Sequence, residues 1–161
     1  MKKVIKNYLA KLQENDKKGF SLVELIIVMA IMAILVGVVA SQVLPYMEKS
    51  RQSKDQQILS SLCTDITSAI AQSGESCAGG SAALTSLATI ANDKTVTELS
   101  SLRSDKSLAD INGESSAALG SKLMKGKTIN VEVNNSNGKI AVWAGTSKPA
   151  AGSKNLVENE Q

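Results

Sequence analysis

The feature that most constrains this chain is a run of sixteen residues without a polar side chain, from Leu25 to Ala40. Extended back to Phe20, the run has twenty-one residues and is interrupted only by Ser21 and Glu24. As an α-helix it would be about 31 Å long, enough to cross the hydrocarbon core of a membrane. A helix apolar on every face could also lie inside a large protein, but 161 residues are too few to surround it. The run therefore predicts a membrane-spanning helix.

The charges are distributed as unevenly as the apolar residues. The chain has 18 Lys and Arg against 15 Asp and Glu, and residues 1–19 hold six of the lysines with only Glu14 and Asp16. A basic segment before an apolar helix places the N terminus in the cytoplasm and the C-terminal part outside. Residues 20–161 are nearly neutral, and aromatic residues make up 2% of the chain. Nucleic acid is therefore not expected as the main partner, because binding it needs a basic patch with stacking aromatics.

No set of residues suggests catalysis. The chain has no histidine, which excludes an imidazole base, Ser–His and Cys–His pairs, and His-ligated zinc. No spacing of carboxylates, serines or lysines recommends another catalytic set. We therefore predict that the chain is not an enzyme and holds no cofactor or metal.

A cleaved export signal is the main competing interpretation of the apolar run, with Val38-Val39-Ala40 as a small-residue cleavage site. The run is longer than the usual 7–15 apolar residues of such a signal. It also begins with Glu24, which an export signal gains nothing by carrying. A carboxylate deep in a bilayer costs about 2.5–3.5 kcal/mol, and such a residue is by default a functional one whose partner should be named.

The residues around the start of the run suggest that partner. Lys17-Lys18-Gly19-Phe20-Ser21-Leu22-Val23-Glu24 resembles the processing site of type IV prepilins and related pseudopilins. The resemblance implies that a membrane peptidase cuts after Gly19 and methylates the new amine on Phe20. It also implies that Glu24 pairs with the N-terminal amine of a neighbouring subunit during filament assembly. The alternative that Glu24 only stabilises the helix N-terminus through the dipole remains open, and both roles can hold together.

The resemblance implies a structural subunit of a type IV pilus or pilus-like filament. Its expected partners are the prepilin peptidase and methylase, membrane lipid before assembly, other pilin subunits and the pilus assembly platform. The precursor would cross the cytoplasmic membrane once, and the assembled subunit would lie in an extracellular filament. The alternative from another class is a secreted or membrane-anchored binding module that uses residues 20–40 only as a signal or tether.

The helical pattern continues beyond the apolar run. One face of residues 58–70 is apolar at helical spacing, namely Ile58, Leu59, Leu62, Cys63, Ile66, Ala69 and Ile70. We predict one helix over about 20–72, with Gly74 at its C-terminal cap and a kink at Gly37 or Pro45. The predicted fold is α+β, a long N-terminal helix packed on a small antiparallel sheet. The predicted divisions are a cleaved leader at 1–19, a membrane and assembly half at 20–45, an external domain at 46–145 and a polar tail at 146–161.

The two cysteines are fourteen residues apart, at Cys63 and Cys77. From Cys63 to Ser73 the helix rises about 15 Å, and four extended residues can return about 13 Å. Disulfide-bonded Cα atoms lie about 5.5 Å apart, so we predict a bond between these cysteines, which export would favour. The prepilin family often carries a cysteine pair near the C terminus instead, so no receptor-binding role is implied for this chain's C-terminal region.

Two strands are predicted near the C terminus, Thr128–Val133 and Lys139–Ala144, joined by a turn that contains Asn137-Gly138. Their alternating residues Ile129, Val131, Val133, Ile140 and Val142 should face the helix. Trp143 should lie towards the opposite face or a subunit contact. A third strand is expected because two alone are marginal. Ala82–Ala91 and Glu98–Ile111 suggest short helices or irregular loop, and Thr146–Gln161 is expected to be a mobile polar tail.

Overall fold

The computed structural model describes residues 20–159 and divides the chain into two compact units. The N-terminal unit extends to Leu44, and the C-terminal unit comprises Pro45–Gln161. The leader at 1–19, including Gly19, lies outside the described residues. One helix, α1, covers Leu22–Ser73 and contributes to both units, which confirms the long helix predicted from the sequence.

The C-terminal unit combines the second part of α1 with a sheet and short helices. In chain order the further elements are β1 (Gly80–Ala83), a 3-10 helix (Leu84–Thr89), α2 (Asp93–Leu102), α3 (Leu108–Ala118), β2 (Ile129–Val133), β3 (Ile140–Ala144) and β4 (Leu156–Glu158). The four strands form one antiparallel sheet in the order β1-β2-β3-β4. This is the predicted α+β fold, a long N-terminal helix packed on a small antiparallel sheet.

The apolar face of α1 forms one side of the core. Leu59, Leu62 and Ile66 are fully buried, while Ile58 and Ile70 lie at the margins of the cluster. The amphipathic pattern over 58–70 is therefore confirmed. The helix ends at Ser73, and Gly74 follows with φ +65°, the left-handed conformation expected of a C-terminal cap.

The β2–β3 hairpin provides the opposite side of the core. Its alternation is confirmed, because Val131 pairs with Val142 and Val133 pairs with Ile140 in register, and all four side chains belong to the cluster that contains α1. Trp143 lies on the other face, as predicted, and is 2% exposed. It is covered there by residues that include Leu156 of β4.

The C-terminal tail is not a mobile appendage, contrary to the expectation from its polarity. Leu156–Glu158 forms β4 along the edge of β3. Beyond it, the Asn159 amide N–H donates to the Ile140 carbonyl at 3.0 Å, and the Asn159 side-chain oxygen accepts from the Ile140 amide at 2.6 Å. A three-residue strand is too short for its alternation to be seen in a sequence, so this element could not be predicted from periodicity.

Short helices lie between β1 and β2, as predicted, but their bounds differ from the predicted segments. The segment Glu98–Ile111 joins parts of two helices, because α2 ends at Leu102 and α3 begins at Leu108. Ser104 and Asp105 adopt positive φ angles of 62° and 58°, which no helix can continue through. Side-chain oxygens cap the helix starts: Asn92 accepts from the Thr95 amide, and Ser107 accepts from the Asp110 amide.

Candidate functional site

The N-terminus of α1 is held by a reciprocal cap between Ser21 and Glu24. The Ser21 amide N–H donates to Glu24 Oε2 at 2.9 Å, and the Val23 amide donates to Ser21 Oγ at 3.4 Å. The Leu25 amide closes the first turn by donating to the Ser21 carbonyl at 3.1 Å. This is a Ser-x-x-Glu capping box, in which side chains pair with amides that have no partner inside the helix. The carboxylate of Glu24 is thereby fixed beside the residue at which the apolar segment begins.

The helix that follows the cap exposes its apolar side chains on every face. From Leu22 to Leu44, the large apolar side chains are 44–73% exposed, and no charged residue occurs between Glu24 and Glu48. Within the described residues, α1 is the one helix long and apolar enough to cross a membrane, judged by length and composition. We call residues 20–44 the apolar segment. Nothing in residues 20–159 covers it, and an apolar surface of this extent is typical of a contact with a membrane or another protein.

Gly37 and Pro45 both lie within α1, and the helix assignment continues through them. No atom lies within 4 Å of the position that a Cβ on Gly37 would occupy. Pro45 has no amide hydrogen, so it cannot donate to the carbonyl four residues before it, that of Ser41. The Ser41 hydroxyl donates to the Val38 carbonyl at 2.8 Å. These contacts do not test a kink, which stays a prediction.

The predicted disulfide between Cys63 and Cys77 is not formed, and both cysteines are free thiols. Cys63 is buried and directs its sulfur to the Ile140 carbonyl at 3.7 Å. Cys77 lies beside the turn of the hairpin, because its carbonyl accepts from the Asn135 side chain and the chain then enters β1. The loop after α1 therefore joins the sheet and does not fold back along the helix. Burial raises the pKa of both thiols.

Two carboxylates near the start of the C-terminal unit bind the loop that precedes β2. Asp55 is 1% exposed and accepts from the amides of Gly120 and Ser121, both at 2.9 Å. Glu48 accepts from the amide of Lys122 at 2.6 Å. Sequence reasoning missed both residues, because acidic side chains in the polar stretch 47–57 of the helix are expected to be solvated.

A further ion-pair group lies on the outer face of the sheet. Lys148 contacts Glu132 of β2 at 2.6 Å and Glu158 of β4 at 3.1 Å, so it joins the two strands on either side of β3. The hydrogen bond to Glu132 is the main cause that raises the pKa of Lys148. This group holds the segment between β3 and β4 over the sheet. It has no sequence signature, since its three members lie far apart along the chain.

The fold and the apolar segment together define a class: an α+β protein with the pilin architecture, whose long helix begins in an apolar segment that residues 20–159 leave uncovered. The comparison with protein families assigns the segment itself. The family described as Prokaryotic N-terminal methylation motif matches residues 15–40, so the chain carries the type IV prepilin-like signal. The resemblance seen in residues 17–24 is thereby confirmed. No curated protein and no solved structure gives a significant match.

Proposed function

We propose that this chain is a structural subunit of a type IV pilus or pilus-like filament. The observation that carries the proposal is the apolar segment, which combines the methylation motif, a fixed carboxylate at its head and side chains exposed on every face. A membrane would cover these side chains before assembly, and the helices of other subunits would cover them in the filament. A structural role of this kind asks for no catalytic residue in the chain.

The processing steps follow from the chemistry of the motif. A peptidase cuts after Gly19, where the absence of a side chain leaves the peptide bond accessible, and a methyl group is added to the new amine of Phe20. The leader at 1–19 would remain in the cytoplasm with its lysines, and the C-terminal unit would lie outside. The proposed division is therefore leader, membrane and assembly half, external domain with its C-terminal tail.

Glu24 is the proposed counter-charge for the cleaved N-terminus. The amine of Phe20 is a cation among apolar residues, and it needs an opposite charge once water is removed. In a helix continued to Phe20, Glu24 would lie about 6 Å further along the axis, so a subunit shifted by one such step would bring its amine level with this carboxylate. A buried ion pair of this kind fixes the register between helices more than it adds net stability.

The segment from Gly37 to Pro45 is the proposed place where the helix bends or stretches on assembly. Pro45 leaves the Ser41 carbonyl without an α-helical donor. Gly37, which precedes it in the same helix, has a low helix propensity of its own. The helix can therefore open here at a lower cost than elsewhere in the apolar segment. Hydrogen exchange of residues 37–45 in assembled filaments should be faster than that of residues 25–35.

Mass spectrometry of the mature protein tests the processing steps. The expected chain begins with N-methylated Phe20 and lacks residues 1–19. A mature chain that begins at Ser41 contradicts the proposal and supports a secreted binding module. A chain that keeps Met1 contradicts it as well and supports a membrane-anchored module with residues 20–40 as its tether.

Substitution of Glu24 separates the proposed pairing role from the observed capping role. Gln at this position retains an oxygen that can accept from the Ser21 amide, so Glu24→Gln keeps the cap and removes only the charge. We expect Glu24→Gln and Glu24→Ala to be cleaved and membrane-inserted normally, but to give few or no filaments by electron microscopy. Filaments from Glu24→Gln at the wild-type level, with Glu24→Ala defective, would assign Glu24 to capping alone.

A further inference from the structure

The end of the C-terminal unit that adjoins the apolar segment is strongly cationic. Residues 45–159 contain twelve Lys and Arg, and seven of them are exposed at this end. We call them the basic collar: Lys49, Arg51, Lys54, Lys122, Lys125, Lys127 and Lys154. The other five basic residues of this range share the rest of the unit with eight of its eleven carboxylates. The charge of the unit is therefore polarised along its length.

The two carboxylates described above bring the parts of the collar together. Asp55 and Glu48 bind the loop at residues 120–122, so this loop lies beside the first turns of α1 in the unit. Lys154 reaches the same turns through a 2.8 Å hydrogen bond from its Nζ to Gln52 Oε1. Lys127 lies next to Gly145, at the end of β3. Residues distant in sequence thus present their ammonium groups at one end.

The acidic groups at this end, Glu48, Asp55 and Glu114, are too few to neutralise the seven cations of the collar. Asp55 is buried with both oxygens bonded to amides, and Glu48 is bonded to the Lys122 amide and lies 4.0 Å from Arg51. Glu114 lies near Lys54, but its carboxylate is paired with the ammonium group of Lys106 at 2.6 Å. The side chains of Lys122, Lys125 and Lys127 make no ion pair within residues 20–159.

The covalent connection between the two units keeps this end close to the apolar segment. Leu44, the last residue of the apolar segment, is bonded directly to Pro45, and Lys54 is only about 14 Å further along the helix. Tyr46 follows the segment at once, is 71% exposed, and has the Lys49 ammonium 5.6 Å from its ring centre. An aromatic ring with a nearby cation is typical of a membrane–water interface. Whatever the angle between the units, the first residues of the collar lie within about a Debye length, roughly 8–10 Å, of the bilayer surface.

We propose that the basic collar binds anionic phospholipid headgroups on the outer face of the membrane before the subunit is assembled. This inference rests on the proposed function, which places the apolar segment in the bilayer. The ammonium group of lysine is a point charge on a flexible side chain, so it can bind phosphates that have no fixed positions. The phosphates of a fluid lipid surface are of this kind. Each lysine near an anionic surface strengthens attraction by about fivefold at low salt. Lipid contact at this end would hold the C-terminal unit at the surface until a growing filament takes the helix.

Lipid selectivity of the full chain tests the proposal. The chain is reconstituted in phosphatidylcholine vesicles that contain trace spin-labelled phosphatidylglycerol or spin-labelled phosphatidylcholine, and the immobilised lipid fraction is measured by electron paramagnetic resonance. The test variant is Lys122→Gln/Lys125→Gln/Lys127→Gln, which removes three charges and no recorded side-chain bond. The matched control, Lys94→Gln/Lys139→Gln/Lys148→Gln, removes three charges that are paired elsewhere in the unit. The leader lysines are present in every sample, so the difference between variants isolates the collar.

We expect the test variant to lower the preference for phosphatidylglycerol by at least about fivefold, the effect of one lysine near an anionic surface, and the control to leave it unchanged. The difference should vanish at 0.5 M salt, since exposed charges are then screened. Equal preference in both variants, with immobilised lipid present, overturns the lipid site alone. The absence of any immobilised lipid overturns the membrane step of the proposed function and the collar with it. Unchanged selectivity, with cross-links from Lys122 to carboxylates of a second copy, assigns the collar to a subunit contact and also overturns the proposal.

Discussion

Replacement of Asp55 should destabilise the C-terminal unit more than replacement of any other carboxylate in it. Asp55 is the one acidic residue of the described chain that is buried, at 1% exposure. Its two oxygens accept from two consecutive amides, those of Gly120 and Ser121, each at 2.9 Å. Both amides belong to the loop between α3 and β2, so this one side chain attaches the loop to the long helix.

The expected magnitude follows from these two bonds. A hydrogen bond to a charged group contributes about 1.5–3 kcal/mol, and a buried amide left without a partner costs about 1–3 kcal/mol. Asp55→Asn keeps one oxygen but turns an NH2 group toward the second amide, so we expect a loss of about 2–4 kcal/mol. Asp55→Ala removes both acceptors and leaves a small void, and should cost about 3–5 kcal/mol.

Urea unfolding of the full chain in detergent micelles measures these losses. Trp143 is the single tryptophan and is buried, so its emission reports unfolding of the C-terminal unit. Asp105→Asn is the matched control, because Asp105 is exposed and its φ of 58° suits asparagine equally well. The urea midpoint should fall for Asp55→Asn with an unchanged slope and stay constant for the control. A loss below about 0.5 kcal/mol for Asp55→Asn would refute the buried-acceptor argument.

Three further expectations concern the core, the thiols and the outer face of the sheet. Leu62→Ala, at a fully buried position, should lower the unfolding free energy by about 2–5 kcal/mol in the same assay; a loss under about 1 kcal/mol would contradict its place in the core. Without any reductant, iodoacetamide should modify Cys77 in the native protein and Cys63 only after unfolding, whereas no modification in urea would indicate a disulfide. The fold raises the pKa of Lys148 above its ordinary value of 10.5. Its ion pair therefore stabilises the folded state fully below pH 10.5, and this stabilisation is lost as the pH rises through the folded-state pKa. Lys148→Gln should therefore cost under about 1 kcal/mol near neutral pH and flatten the loss of stability above pH 10.5, and an unaltered pH profile would contradict this.

The parts of the fold that could be predicted are those with a long periodic pattern. The helix and the β2–β3 hairpin each bury one face, so Leu59 to Ile70 and Ile129 to Val142 carry the spacing of their secondary structure in the sequence. Strands β1 and β4 have three or four residues, and their existence depends on pairing with distant neighbours. The loop from Cys63 to Cys77 is long enough for a disulfide. Its length does not predict that the residues after Gly74 pair with the sheet.

The functional residues divide in the same way, into those that a local sequence pattern predicts and those that depend on long-range contacts. The motif at residues 17–24 is local, so its resemblance to prepilins could be seen from consecutive residues. The Asp55 contacts join residues sixty-five and sixty-six positions apart. A lone aspartate on a polar stretch of helix gives no sign that it will be buried. The basic collar could not be predicted for the same reason. Its lysines lie at one end of the unit only because Asp55 and Glu48 bind the loop at residues 120–122.

The two units of this chain differ in how their apolar side chains are covered, and this difference bears on the proposed function. The C-terminal unit buries Leu59, Leu62 and Ile66 against its own sheet, so its stability is a property of the single chain. The apolar segment has no such cover within the described residues, and under the proposed function lipid or other helices would cover it. Substitutions such as Leu62→Ala should therefore change unfolding with little direct effect on helix contacts. Under the proposed function Glu24→Gln should do the reverse, because the carboxylate lies at the head of the segment that would pack against other subunits.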